Sequence, residues 1–236
     1  MPAKWLTRPA AALKSSRPPA ALQFIERMTF PDRPLLYAIL DLGYVKPQDA
    51  ERVTAGLLAG GADLLQLRAK GHDTALIQDL AAKLLPLCRA AKVPFIVNDF
   101  AAIALAVGAD GLHIGQDDGT LAAARAKVGP DMLIGRSTHS AAQAAEALAE
   151  GFDYIGFGPL FPTPTKQGRP GIGLEQVAAV QAEVGAHIPV FCIGGIKRAN
   201  LPEVVAAGAR HVVIVSDLLT ADDIPAAVAA AKSTLR

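Results

Sequence analysis

A three-residue motif recurs four times in this chain, each time between an Ala-rich stretch and an apolar one. Gly61-Ala62-Asp63 precedes Leu64-Leu65-Gln66-Leu67, and Gly108-Ala109-Asp110 precedes Gly111-Leu112-His113-Ile114. Gly151-Phe152-Asp153 precedes Tyr154-Ile155-Gly156-Phe157, and Gly208-Ala209-Arg210 precedes His211-Val212-Val213-Ile214-Val215. A glycine that closes a helical run takes the left-handed conformation that other residues avoid. The glycines at 61, 108, 151 and 208 are 43 to 57 residues apart, which is room for two βα units in each interval.

The intervals hold four more short apolar runs, at 35–40, 94–97, 132–135 and 189–193. Continuous rather than alternating hydrophobicity marks parallel strands buried on both faces. Pro94 and Pro189 fall at the first position of their runs, where a missing donor does least harm. Helix starts are expected at the pairs Ser140/Gln143, Asn200/Glu203 and Thr220/Asp223, each spaced as a capping box. After Asp73, the residues Leu76, Ile77, Leu80, Leu84 and Cys88 share one helical face, and Pro86 should kink that helix. Eight strands alternating with helices predict an α/β fold, a closed (β/α)8 TIM barrel, with an open doubly wound sheet as the other arrangement of the same elements.

Composition limits the function. The 236 residues are 51% hydrophobic with a net charge of +1, so the chain has a large core and no general affinity for nucleic acid or other polyanions. Cys88 and Cys192 lie in apolar runs and read as reduced core thiols of a cytoplasmic protein. No apolar run is long enough to cross a membrane. Residues 1–33 differ from the rest: Lys4, Arg8, Lys14 and Arg17 precede the first acid, Glu26. They read as a disordered or over-long lead-in, with Met28 as an alternative start, and a transit peptide fits the same composition. Residues 34–236 form the single barrel domain. A homo-oligomer is compatible with the sequence.

In such a barrel the chemistry sits at the carboxyl ends of the strands. After the second strand, Gln66, Arg68 and Lys70 alternate and so face one side, three donors suited to phosphate oxygens. Asn98-Asp99 follows the third strand and Gly115-Gln116-Asp117-Asp118 the fourth. Each acid taken singly reads as a helix cap. Asp99 and one acid of the second pair come from adjacent strand ends, and two convergent carboxylates beside a phosphate clamp suit Mg²⁺. Arg136-Ser137-Thr138-His139-Ser140 follows the fifth strand; Ser137 is placed to donate to a phosphate, and His139 reads as a proton shuttle or a surface imidazole. The other histidines show no metal-ligand spacing.

Prolines 159, 162 and 164 stiffen a loop that presents Thr163, Thr165 and Lys166. Gly194-Gly195 follows the seventh strand, and Val215-Ser216 ends the eighth. Paired glycines let backbone amides approach an anion, and barrels of this kind often bind phosphate after strands 7 and 8. Two anion sites are therefore expected, a metal-linked one near strands 2 to 5 and a backbone-built one near strands 7 and 8.

Taken in order from about residue 36 to 219, these motifs resemble the thiamine phosphate synthase family. The resemblance implies a Mg²⁺-dependent transferase of small molecules. It would join 4-amino-5-hydroxymethyl-2-methylpyrimidine diphosphate to a thiazole phosphate, carboxylated or not, and release pyrophosphate. It implies that Gln66, Arg68, Lys70, Asn98, Ser137 and Lys166 hold the pyrimidine diphosphate, with Asp99 and Asp118 as its Mg²⁺ ligands. Arg68, Asp99, Ser137 and Lys166 would act in catalysis, and Thr163, Thr165, Gly194, Gly195, Val215 and Ser216 would hold the thiazole phosphate. Three departures stand out. Phe100 replaces the usual Arg after Asn-Asp, Gln167-Gly168 replaces an acid, and Arg136 stands where a small or apolar residue is commoner. A sister branch that isomerises the thiazole with a His at position 139 uses similar wording, and a silent phosphate-binding barrel is the reading from outside enzymology.

Overall fold

The computed structural model describes residues 6–9, 26–163 and 170–236, with the side chains of 6–9 and 26–29 excepted. Eight parallel strands form a closed barrel: β1 (Leu36–Asp41), β2 (Leu64–Arg68), β3 (Phe95–Asn98), β4 (Gly111–Ile114), β5 (Leu133–Thr138), β6 (Tyr154–Phe157), β7 (Val190–Cys192) and β8 (His211–Ile214). Closure rests on β8 against β1, where Val212, Val213 and Ile214 pair with Leu36, Tyr37 and Ala38. The barrel is wrapped by α1 (Ala50–Ala59), α2 (Thr74–Ala91), α3 (Ala101–Val107), α4 (Leu121–Val128), α5 (Ala141–Glu150), α6 (Val177–Glu183) and α7 (Leu201–Ala206). A one-turn α8 (Ser216–Leu219) and α9 (Ile224–Thr234) complete the ring. Ahead of the barrel, Leu6–Pro9 pairs antiparallel with Glu26–Thr29.

The recurrent Gly-x-Asp motif has a double purpose. Its glycines sit at positive φ, 91° for Gly61, 71° for Gly108, 90° for Gly151 and 102° for Gly208, and so end the helices. Its aspartates tie each even strand to the start of the odd strand before it. The Asp63 carboxylate accepts from the Leu36 amide at 2.9 Å, Asp110 from Phe95 at 2.9 Å and Asp153 from Ile134 at 2.8 Å. Each is also ion-paired to an arginine, Arg33, Arg89 and Arg125 respectively. A strand-end amide that has no ladder partner thus gains a charged acceptor. The fourth repeat carries Arg210 instead, and it pairs with Asp32.

The core has two parts, as strand alternation requires. Residues pointing outward from the strands pack under the helices. Those pointing inward, among them Tyr37, Ile39, Leu64, Ile96, Tyr154, Phe191 and Val213, fill the barrel. Gly135 makes room for one of them, since a Cβ there would lie 2.1 Å from the Tyr154 ring. Phe30 packs on Tyr154 and Phe191 with ring centroids 5.7 and 6.0 Å away. Packing against the barrel floor therefore reaches back to residue 30.

Local signals hold in part. Asp73 caps α2, the expected face of that helix is buried at Ile77, Leu80, Leu84 and Cys88 and half-buried at Leu76, and the helix continues through Pro86. Ser140 caps α5 by accepting from the Gln143 amide, while the Gln143 side chain accepts from His139 rather than from the cap. The other two expected capping boxes do not form. Asn200 instead closes its own loop, accepting from the Lys197 amide and donating to the Gly195 carbonyl. Thr220 donates to the Ser216 carbonyl, and Asp223 caps α9. In both cases a nearer backbone partner wins the side chain.

Candidate active site

At the carboxyl ends of the strands lies a cavity of about 550 Å³ whose walls include Asp41, Gln66, Arg68, Asn98, His113, Ser137 and Tyr154. Its cation is held in place from β1: Arg68 donates to the Asp41 carboxylate at 2.7 Å, and Asp41 is 2% exposed. Asp41 also accepts from the Gly43 amide at 2.9 Å, so its direction is fixed from two sides. The alternate spacing brings Gln66 and Arg68 to the cavity wall, whereas Lys70 is not in that wall and pairs with Asp99. Lys70 is exposed, Arg68 half-buried and Gln66 buried.

Gln66 begins a chain of polar contacts inside the barrel. Its amide donates to the Tyr37 hydroxyl at 2.7 Å, which meets the Tyr154 hydroxyl at 3.2 Å. Tyr154 meets His113 Nδ1 at 3.2 Å, and His113 Nε2 meets Ser137 Oγ at 3.0 Å. Burial pushes both tyrosine hydroxyls well above their usual range, so they serve as neutral hydrogen-bonding groups. The chain fixes Ser137 at the cavity wall from below. Asn98 in the same wall is buried, and its Nδ2 has no hydrogen-bond partner among the described residues.

Asp99 and Asp118 come together. Asp99 sits at φ 66°, an unusual conformation for a non-glycine residue, which turns the chain back on itself at the end of β3. Lys70 Nζ lies 3.1 Å from its carboxylate. Burial raises the Asp99 carboxyl above the usual range, Lys70 offsets part of that, and the adjoining Asp118 carboxyl pushes it up again. Neither acid caps the next helix. No side chain caps α3, and Thr120 caps α4. Two carboxylates, with no third acid, His or Cys joining them among the described residues, match the donor set of Mg²⁺, which completes its shell with phosphate and water.

A second cavity of about 450 Å³ shares Ile193, Val213 and Val215 with the first and adds Pro159, Thr163, Gly194, Gly195, Ile196 and Ser216. The loops after β6 and β7 are zipped together by Leu160 N donating to Ile193 O at 2.8 Å and Phe161 N to Gly194 O at 3.0 Å. That zipper needs glycines. Gly194 and Gly195 have φ of 98° and 65°, and a Cβ on Gly195 would lie 2.6 Å from the Phe161 Cβ. A hydroxyl from Thr163 and another from Ser216 flank the pair.

The family model for thiamine monophosphate synthase matches residues 36–218. The chain belongs to that family. A thiamine-phosphate synthase of Mycobacterium sp. (strain KMS) is 47% identical over 212 residues, covering 85% of this chain and 92% of the relative. One from Gloeobacter violaceus is 47% identical over 166 residues, and the match takes in 70% of this chain and 48% of that longer protein. A thiamine phosphate pyrophosphorylase structure from Pyrococcus furiosus superposes with a TM-score of 0.76 at 32% identity, over 85% of this chain and 95% of that one. A 3-hexulose-6-phosphate synthase, at 20% identity and a TM-score of 0.62, shares the barrel alone.

As a member of the thiamine monophosphate synthase family, the chain brings most of its sequence-predicted residues to two adjoining cavities. Gln66, Arg68, Asn98 and Ser137 line the first, Thr163, Gly194, Gly195 and Ser216 the second, and Val215 both. Thr165 and Lys166 lie outside the described residues. His139 is in neither wall; its Nδ1 is hydrogen-bonded to the Gly158 carbonyl. Sequence reasoning missed Asp41, Tyr37, His113 and Tyr154. One signal was available: a polar residue inside an apolar strand, at an inward register position, needs a partner.

Proposed function

We propose that the chain is a thiamine phosphate synthase that couples 4-amino-5-hydroxymethyl-2-methylpyrimidine diphosphate with a thiazole phosphate, giving thiamine phosphate and pyrophosphate. The observation that carries this reading is the pair of cavities with a common wall at Ile193, Val213 and Val215. Arg68, Gln66, Asn98 and Ser137 in the wall of one suit a diphosphate, and the paired Asp99 and Asp118, which follow the adjacent strands β3 and β4 with Lys70 against Asp99, suit its metal. The other carries glycine amides and hydroxyls suited to a monophosphate.

In this reading Arg68 and Lys70 bind the diphosphate, helped by Lys166, while Gln66, Asn98 and Ser137 orient the pyrimidine end. Asp99 and Asp118 would hold Mg²⁺, which when bound adds positive charge beside the departing pyrophosphate. The methylene carbon–oxygen bond breaks, and its electron pair leaves with pyrophosphate. The developing cation is stabilised by the electron-rich aminopyrimidine and shielded from water by apolar walls. The lone pair of the thiazole nitrogen, held next door by Thr163, Thr165, Gly195 and Ser216, forms the new carbon–nitrogen bond. No side-chain nucleophile is required.

The test is a coupling assay with both substrates and Mg²⁺ that follows thiamine phosphate and pyrophosphate together. Equal amounts of both, lost on adding EDTA, are expected. Asp99→Asn should abolish turnover and leave thiazole phosphate binding by calorimetry nearly intact. Interconversion of thiazole phosphate isomers in EDTA, with no coupling, would refute the proposal and return His139 to attention.

A further inference from the structure

We propose that Arg136 is a positioning residue for the Asp118 carboxylate, acting through the loop at 115–119; this rests on the reading of Asp118 as a metal ligand. Arg136, one of the three departures from the family pattern, lines neither cavity, as Phe100 does not; Gln167 and Gly168 lie outside the described residues. Strand alternation turns Arg136 outward from β5 while its neighbour Ser137 faces the cavity.

Its guanidinium spans the loop. One amino group donates to the Gly119 carbonyl and the other to the Gln116 carbonyl at 3.2 Å. From behind, the group lies over the ring of buried Phe152, 5.3 Å from its centroid. The Gln116 side chain adds a third tie, donating to the Ser137 carbonyl. Two successive residues of one strand, Arg136 and Ser137, thus grip the loop that carries Asp118, and Ser137 itself also lines the cavity.

The grip matters for the carboxylate more than for the fold. Residues 117–120 are exposed and bury nothing. Within the loop, Asp118 accepts from the Gly115 amide at 2.7 Å and Gly119 takes φ 102°, a compact turn whose position relative to Asp99 rests on its anchors. A planar fork reaches two separated carbonyls with donors held in fixed directions, whereas an ammonium donates from a single nitrogen on a flexible stem and an apolar side chain offers no donor. Mg²⁺ demands near-octahedral geometry, so a carboxylate that drifts with its loop is a poorer ligand.

The experiment measures binding of Mn²⁺, as a magnetic stand-in, to the full chain in inorganic pyrophosphate by electron paramagnetic resonance. Wild type, Arg136→Ala, Arg136→Lys and Asp118→Asn are compared, with melting temperatures alongside. Loss of two charge-assisted anchors is expected to weaken Mn²⁺ on the order of tenfold in Arg136→Ala. Arg136→Lys should fall between, melting temperatures should hardly move, and saturating Mg²⁺ should restore turnover. Should Arg136→Ala fail to fold, Arg136→Lys carries the comparison alone. Wild-type Mn²⁺ affinity in the Arg136 variants, with Asp118→Asn impaired, would overturn the inference. If Asp118→Asn also bound Mn²⁺ like wild type, the metal reading beneath it would be the part that failed, and the inference would fall with it.

Discussion

His211 makes the stability of this barrel depend on pH in a way that can be worked out beforehand. It opens β8 at the barrel floor, is 6% exposed, and its ring lies 5.2 Å from that of Phe191. Its Nδ1 has no hydrogen-bond partner among the described residues. Burial, then the charge of Arg210, with a smaller push from Arg33, brings its pKa down to about 4, although Asp63 and Asp32 pull the other way. In the unfolded chain the imidazole returns to an ordinary value near 6.5. Between those two values the unfolded state takes up a proton that the folded state refuses. The contribution is fully present above about pH 6.5, is lost as the pH falls, and levels off near pH 4. At about 1.4 kcal/mol per pH unit, roughly 2.5 kcal/mol should be gone by about pH 4.5. Urea unfolding across this range, in wild type and in His211→Phe, isolates the term from the carboxylates that titrate nearby. The variant should be at least as stable at neutral pH, because an unpartnered buried nitrogen is removed, and its acid loss should be smaller by that amount. Parallel curves would show that the proton goes elsewhere.

Two further substitutions probe the cavities. Asp41→Ala leaves a half-buried guanidinium without its counter-charge and an unpaired Gly43 amide, and should cost about 2–3 kcal/mol in urea unfolding at pH 7. Gly195→Ala combines φ 65° with a Cβ 2.6 Å from Phe161, so the zipped loops must part. KM for the thiazole phosphate should rise by about tenfold or more, with KM for the pyrimidine diphosphate unchanged, in steady-state kinetics.

Much of this molecule is decided within short windows of its sequence. Continuous apolar runs place the strands, since a strand buried on both faces must be apolar throughout. The glycines at 61, 108, 151 and 208 mark helix ends because only the local backbone conformation is at stake. Strand-end chemistry is legible for the same reason: once the strands are placed, Arg68 and Ser137 fall at the barrel mouth, and Asp99 and Asp118 follow adjacent strand ends. Windows fail where partners compete. Asn200 and Thr220 look like caps, but each finds a closer backbone group in its own turn.

Contacts between strands distant in sequence needed the tertiary structure. The closure of β8 on β1 joins residues some 175 positions apart, and no local pattern encodes it. The contacts linking Gln66, Tyr37, Tyr154, His113 and Ser137 draw one residue from each of five strands. His113 looked like one of several scattered histidines for that reason. The Gly-x-Asp motif was visible as a repeat, yet its aspartates acquired a purpose when the amides of Leu36, Phe95 and Ile134 were seen to lie within their reach. Periodicity fixes which way a side chain points, because backbone geometry repeats over two or four residues. What it meets there depends on how the whole sheet closes.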